Sequence, residues 1–258
     1  MIKFMTWINL HRYPLTAASV LKWCTWLAKH EQLAPSTLDQ KISHINFFAQ
    51  LGLFPPVREL AQRRFLDGLT KLLNYTPKRS LLPPSLIVTM FNSPSSLMVD
   101  SILFQSQVGL RGGQMVKITP HHLLPTIHMV PPYKHCKVLT LLPLQHVNPD
   151  ILARFLSHAT APHLPIVNLS AKQYKDYFAS TMMTFGYKRT SHAARRTFAT
   201  VHDFLKSPPT VLASHLIHAN SKTTMKSYVL ALSTTEGIVV LSHPELFKAL
   251  PNQQLVSF

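Results

Sequence analysis

The sequence predicts a mainly helical protein with a small β-sheet, an α+β fold divided into two domains. Three observations carry that expectation. Glycine is scarce, at 7 residues in 258, while proline reaches 20, which suits helices with proline-punctuated ends better than a glycine-rich sandwich. Apolar residues recur at helical spacing through most of the chain. A proline-bounded basic stretch, Tyr75-Thr-Pro-Lys-Arg-Ser-Leu-Leu-Pro-Pro84, separates two such helical blocks and reads as an interdomain linker.

In chain order, the first helix is expected over residues 14–31, where Thr16 suits the cap and Val20, Cys24 and Leu27 share a face. Pro35–Ser36 opens a second helix that buries Leu38, Ile42, Ile45 and Ala49. Its opposite face carries Thr37, Lys41 and His44, a stripe that fits a DNA groove, with Lys41 on a phosphate, as well as it fits plain solvent. Gly52 and Pro55–Pro56 then break the chain. A third helix follows over about 57–74, with Leu66, Leu69 and Leu73 inward and Arg58, Arg63 and Arg64 on its polar side. These helices make an all-helical domain of residues 1–76, followed by a linker at 77–84 and a second domain at 85–258.

The second domain opens with a short helix after Pro84 and a longer one from Ser96 to about Val108, which ends in Gly109-Leu-Arg111-Gly-Gly113. Residues 123–130 and 137–144 read as two short strands joined by Pro131-Pro-Tyr-Lys-His-Cys136. Helix starts follow at Asn148–Pro149, Ser170, Ser191 and Pro208–Pro209, and Thr223 to Leu230 reads as another helix. Ser242 and Glu245 have capping-box spacing, which predicts a last helix near 243–250 that Pro251 stops. There is no internal repeat and no low-complexity segment.

Charge narrows the function. Lys and Arg number 26 against 10 Asp and Glu, a formal net charge of +16, which attracts polyanions, nucleic acid above all. A ribosome-like basic protein or a membrane-surface binder is the alternative. The basic residues are scattered through patterned segments rather than gathered in a tail, which favours a folded DNA-binding surface. Cys24 and Cys136 lie far apart without metal spacing and imply neither a disulfide framework nor a zinc site. The 15 histidines include the pairs His121–His122 and His215–His218, yet no cysteine or carboxylate completes a ligand set, so no metal is expected. No apolar run approaches the roughly 20 residues of a membrane helix, and residues 1–10 lack the pattern of a signal peptide. The expected setting is intracellular, with DNA and away from membranes.

Chemistry concentrates in the second domain. In His192-Ala-Ala-Arg195-Arg196, His192 and Arg195 lie three residues apart and share a helix face. They sit where free N–H groups and the helix dipole favour an anion. Arg111 lies in Val108-Gly-Leu-Arg-Gly-Gly-Gln114, where small residues allow a tight turn and close approach to a ligand. Leu216-Ile-His218 is followed by Thr223-Thr224 and by Tyr228, ten residues after His218 and able to return to it across a turn.

Arg111, His192-x-x-Arg195, His218 and Tyr228, in that order, resemble the tyrosine recombinase family, the phage-type integrases among them. Arg195-Arg-Thr-Phe-Ala-Thr200 is similar to the stretch after that family's second catalytic arginine. Ser36-Thr-Leu-Asp-Gln-Lys-Ile-Ser-His-Ile-Asn-Phe-Phe48 is similar to its helical DNA-clamp domain. The likeness spans roughly residues 14–245, and its proline-rich, abbreviated style resembles mobile-element members. It implies an N-terminal clamp bundle, a catalytic domain and a site-specific recombinase that cleaves and rejoins double-stranded DNA. Tyr228 would attack the scissile phosphate and form a 3′-phosphotyrosyl link. Arg111 and Arg195 would hold the nonbridging oxygens. His192 would assist proton transfer, and His218 would donate to the phosphate. The family's general-acid lysine falls in the predicted hairpin, on Lys134 in preference to Lys137. Neither metal nor ATP is required, and four protomers would act on two DNA sites.

The sequence departs from the family pattern at several positions. An acid usually stands three residues after the first arginine, and here it is Gln114. Arg196 replaces a frequent histidine. Ile217 replaces the usual glycine before His218, and the interval to Tyr228 is one residue longer than typical, which leaves His215 as an alternative to His218. Two other functions share these residues: a recombinase-derived protein that binds DNA without cutting it, and a type IB topoisomerase-like relaxase.

Overall fold

The computed structural model describes residues 1–73, 80–132, 140–218 and 221–250. The chain divides into two compact units, Met1–Lys78 and Arg79–Phe258.

The first unit is built from α1 (Ile2–Leu10), α2 (Ala17–His30), α3 (Pro35–Ala49) and α4 (Glu59–Leu72). Thr16 caps α2, its hydroxyl accepting from the Ser19 amide at 3.2 Å, and Pro35 supplies the fixed φ of the first turn of α3. Phe4, Val20, Trp23, Leu27, Leu38, Ile42 and Ile45 form the core. Sequence reading did not foresee α1, whose apolar stripe is only Phe4, Trp7 and Ile8. Tertiary contact makes it a helix: Phe4 packs on Trp23 with ring centroids 5.3 Å apart. Asn46 holds the loop after Pro55–Pro56, donating to the Val57 carbonyl at 3.0 Å and accepting from its amide at 2.9 Å. The stripe of α3 is solvated at His44, while the Lys41 ammonium stands over the Trp23 ring at 5.7 Å.

The second unit is mainly helical with one small sheet. Its elements are α5 (Pro84–Phe91), α6 (Leu97–Val108), α7 (Gly112–Met115), a single 3-10 turn at Pro120–His122, β1 (Ile127–Val130), β2 (Thr140–Pro143), α8 (Pro149–Leu156), α9 (Ala171–Thr184), α10 (Ser191–Phe204), α11 (Pro209–His215), α12 (Ser221–Tyr228) and α13 (Thr234–Ser242). The strands pair antiparallel, Ile127 opposite Pro143 and Val130 opposite Thr140. Strand β1 is shorter than the sequence suggests because Pro125 breaks the run, leaving Leu123 joined to His128 by an isolated bridge. Leu82, in the proline-bounded stretch, is fully buried in this unit's core.

Helix α6 is the axis of the second unit, with every residue from Val99 to Val108 buried. It packs against α5, α8, α9 and α10. Two of its polar residues are satisfied from neighbouring elements: Asp100 meets Arg154 and His158, each at 2.7 Å, and Gln107 accepts from the Asn148 amide.

Residues 243–250 are not a helix. Two of their backbone carbonyls are taken by side chains: Asn148 donates to Glu245 at 2.9 Å and Gln107 to Leu246 at 3.0 Å. The working cap lies nine residues earlier, where Ser233 accepts from the Glu236 amide and starts α13. Glu236 also takes the amide and hydroxyl of Ser85, at 2.9 and 2.7 Å. Among the described residues, no helix is long and apolar enough to cross a membrane.

Candidate active site

Arg111 is aimed by the way α6 ends. Gly109 takes the left-handed conformation at the helix C-terminus, with φ 66°. A Cβ there would lie 2.5 Å from Phe198 Cδ1, so only glycine lets α6 and α10 approach this closely. The fully buried Gln105 braces the turn. Its Nε2 donates to the Leu110 carbonyl at 2.7 Å and to the Ser191 carbonyl at 3.4 Å, while its Oε1 accepts from the Tyr174 hydroxyl at 2.8 Å. One amide thus ties the Arg111 turn to the start of α10 and to α9. Gln114, where an acid was expected, accepts from the Arg111 amide at 3.1 Å and donates to the Pro131 carbonyl at 3.4 Å. The neutral side chain therefore still buttresses the backbone of Arg111.

Helix α10 begins at Ser191 and is N-capped by Thr190, one residue earlier than Ser191 as a cap would give. Arg195 is 0% exposed. Its Nη1 donates to the Gly109 carbonyl at 2.6 Å, and its Nη2 donates to the Leu216 carbonyl. Gly109 and Leu216 are the C-caps of α6 and α11, where carbonyls lack intrahelical partners and the helix dipoles are negative. Two helix ends therefore hold a single guanidinium. Its Nη2 also lies 3.1 Å from His218 Nε2, and its carbon stands 5.2 Å from the centre of the Tyr228 ring.

The turn that carries His218 is a Schellman motif. The Ile217 amide donates to the Ser214 carbonyl at 2.8 Å and the His218 amide to the Ala213 carbonyl at 3.0 Å. The motif needs a left-handed residue, and Ile217 takes that role with φ 51°. This explains the glycine that the resemblance leads one to expect there. The His218 and Tyr228 rings lie 4.8 Å apart, and those of His192 and Tyr228 6.4 Å apart. Thr200 fixes the chain around Tyr228, donating to the Tyr228 carbonyl at 3.4 Å and accepting from the Leu230 amide at 3.1 Å.

Four of the sequence-predicted residues thus gather, His192, Arg195, His218 and Tyr228, and Arg111 lies near enough for its charge to act on Arg195, His192 and His218. Lys134, like Lys137, lies outside the described residues. His215 points elsewhere, into a buried group with Phe198, His146 and His202, its ring 5.4 Å from that of His146. Sequence reasoning missed Gln105 and quoted Thr200 and Thr224 within motifs without giving either a role. Their contacts span other elements, and ordinary Gln and Thr carry no periodic signal.

The gathered site is electropositive. Burial and then the Arg111 charge lower the Arg195 pKa to about 10, with Tyr228 acting in the opposite direction. Burial and then Arg195 and Arg111 lower His218 to about 4. Desolvation, followed by the charges of Arg196, Arg195, Arg111 and Lys175, lowers His192 as well, although its outer edge remains exposed. Among the described residues, the ion pairs are Arg63–Glu59 and Arg154–Asp100, with His158 Nε2 also 2.7 Å from Asp100, so neither Arg111 nor Arg195 pairs with a carboxylate. Clustered cations without an acid suit an anion such as a phosphodiester.

No family model and no curated protein matches the chain in sequence. Solved structures do match it. The integrase of transposon Tn1549, in complex with transposon right-end DNA, has a TM-score of 0.59 at 15% identity, over 96% of this chain and 92% of that one. A lambda integrase dimer bound to a COC′ core site gives 0.60 at 13% identity, over 90% and 91%. XerA recombinase gives 0.50 at 15%, over 93% and 87%. Helical in the main, with one small antiparallel sheet, the chain has the fold of the tyrosine recombinases and integrases.

Proposed function

We propose that this protein is a site-specific DNA recombinase that cuts and rejoins strands through a 3′-phosphotyrosyl intermediate. The observation that carries the reading is the gathering of buried Arg195, His192 and His218 around Tyr228, with Arg111 near enough for its charge to act on Arg195 and His218, and without a neutralising carboxylate. Tyr228 attacks the scissile phosphorus as its phenol proton leaves, and the 5′ oxygen departs as a hydroxyl after taking a proton. Arg111 and Arg195 hold the nonbridging oxygens, where negative charge grows in the transition state. His192 assists proton transfer, and His218 donates to the phosphate. Lys134 is assigned the proton delivered to the 5′ oxygen. The phosphotyrosyl bond conserves the energy of the phosphodiester, so rejoining needs neither ATP nor metal.

The net charge of +16 supports DNA as the substrate. So do the DNA complexes of the Tn1549 and lambda integrases, which share the fold. We assign the helical unit of residues 1–76 to bind the duplex and the unit of residues 85–258 to cut it, and the working assembly to four copies on two sites. Gln114 buttresses the Arg111 turn and Tyr228 reaches Arg195 despite the longer interval, which favours the active reading over a DNA-binding remnant.

The test is covalent capture. A pool of nicked duplexes of random sequence, incubated with the protein and resolved on denaturing gels, should yield a protein–DNA adduct with the wild type and none with Tyr228→Phe. An adduct that persists in Tyr228→Phe removes Tyr228 as the nucleophile. Binding of the pool by a wild-type protein that forms no adduct leaves only the DNA-binding reading.

A further inference from the structure

We propose that Thr224 is a positioning residue that partners His218 Nδ1 in either tautomer of the ring, accepting when Nδ1 carries the proton and donating when Nε2 does. This inference rests on the strand-cutting function proposed above. Thr224 lies on α12, one turn before Tyr228, and is fully buried. Its Oγ1 stands 2.8 Å from His218 Nδ1. On the opposite edge of the ring, Arg195 Nη2 lies 3.1 Å from Nε2.

Arg195 fixes the resting tautomer, and Thr224 matches it. A guanidinium only donates hydrogen bonds, so Nε2 must accept. A neutral imidazole has a single N–H, which then sits on Nδ1 and donates to the Thr224 hydroxyl. Burial beside Arg195 and Arg111 keeps the ring neutral near pH 7, in keeping with this assignment. A hydroxyl also donates. When a phosphate oxygen takes the place of Arg195 at Nε2, Thr224 turns to donate to Nδ1. The Nδ1 proton passes to solvent, Nε2 takes one from solvent, and the ring charge is unchanged. His218 thereby becomes the donor its role requires, without moving. Valine, of nearly the same shape, supplies neither half of this exchange.

Two readouts on the full chain test the idea. The first is the ¹⁵N spectrum of histidine-labelled protein near pH 7, with His218 assigned by its loss in His218→Gln. The wild type should show His218 with an Nδ1–H that exchanges slowly with solvent. Thr224→Val should lose that protected proton, and Thr224→Ser should keep it. The second is the single-turnover rate of adduct formation on a captured nicked duplex. That rate should fall about tenfold or more in Thr224→Val, with duplex affinity unchanged, and return to within about threefold of wild type in Thr224→Ser. The proposal is overturned by an Nε2–H tautomer in the free wild type, by a Thr224→Val protein with wild-type spectrum or rate, or by a Thr224→Ser protein that behaves like the valine variant. Should the wild type form no adduct with any duplex, the strand-cutting reading is the one that fails, and the spectra alone decide the role of Thr224.

Discussion

Ile217 shows how a single position can hold strain next to the chemistry. A left-handed backbone costs a β-branched residue roughly 1–2 kcal/mol, yet the Schellman turn before His218 requires it. The side chain partly offsets that cost by packing against the main core. Comparing two truncations separates the terms, since both remove the packing and only one relieves the backbone. Ile217→Gly should be more stable than Ile217→Ala by about 1 kcal/mol, read from urea unfolding midpoints, which inverts the usual helix order of the two residues. An alanine variant as stable as the glycine one would mean that the turn is not left-handed in solution. Side chains of this kind mark the limit of what the sequence makes legible. His192 and Arg195 could be paired because one helical turn separates them. Thr224 and Thr200 reach their partners across loops and between helices, where spacing carries no information.

At the scale of elements, the site is assembled from helix ends. The C-termini of α6 and α11 and the first turns of α10 meet, and Gly109 permits the approach. Gly109→Ala places a methyl group against the Phe198 ring and forces a left-handed alanine. It should cost about 3 kcal/mol in chemical denaturation and slow adduct formation by displacing the carbonyl that holds Arg195. A variant as stable and as active as the wild type would show that α6 and α10 do not meet there. The helices with strong caps were legible in advance, as Thr16, Ser96, Asn148 and Ser170 illustrate. Helices α1 and α13 were not, because their short apolar stripes become decisive only against a partner. The expected helix at 243–250 failed for the opposite reason: Asn148 and Gln107, distant in sequence, take two of the carbonyls that a helix would use.

At the scale of the whole molecule, four of the 15 histidines are part of the buried interior. His128, His146, His202 and His215 are buried in the second unit. Burial, reinforced by the other histidines for all but His146, lowers the first two to about 3 and about 4, His202 well below its usual value, and His215 to about 3. These rings stay neutral in the folded protein but take up protons in the unfolded chain once pH drops below about 6.5. Their depressed values leave stability complete above that pH and remove it progressively as pH falls toward 4 and 3. Each buried ring removes up to about 1.4 kcal/mol per pH unit across that window. Cooperative unfolding is therefore expected between about pH 4.5 and 6, followed by far-ultraviolet circular dichroism, and His215→Leu should move the midpoint to lower pH. A protein that stays folded at pH 4 would contradict the burial of this group. The anchoring of Arg195 bears on how loss-of-function variants are interpreted. Removing that side chain deprives two helices of their common terminus, so an inactive protein would also be a loosened one, and the two defects would be confounded. Arg111 is half-buried and, among the described residues, its side chain does not join two helix ends as that of Arg195 does, so an inactive variant there is less confounded by a loss of stability.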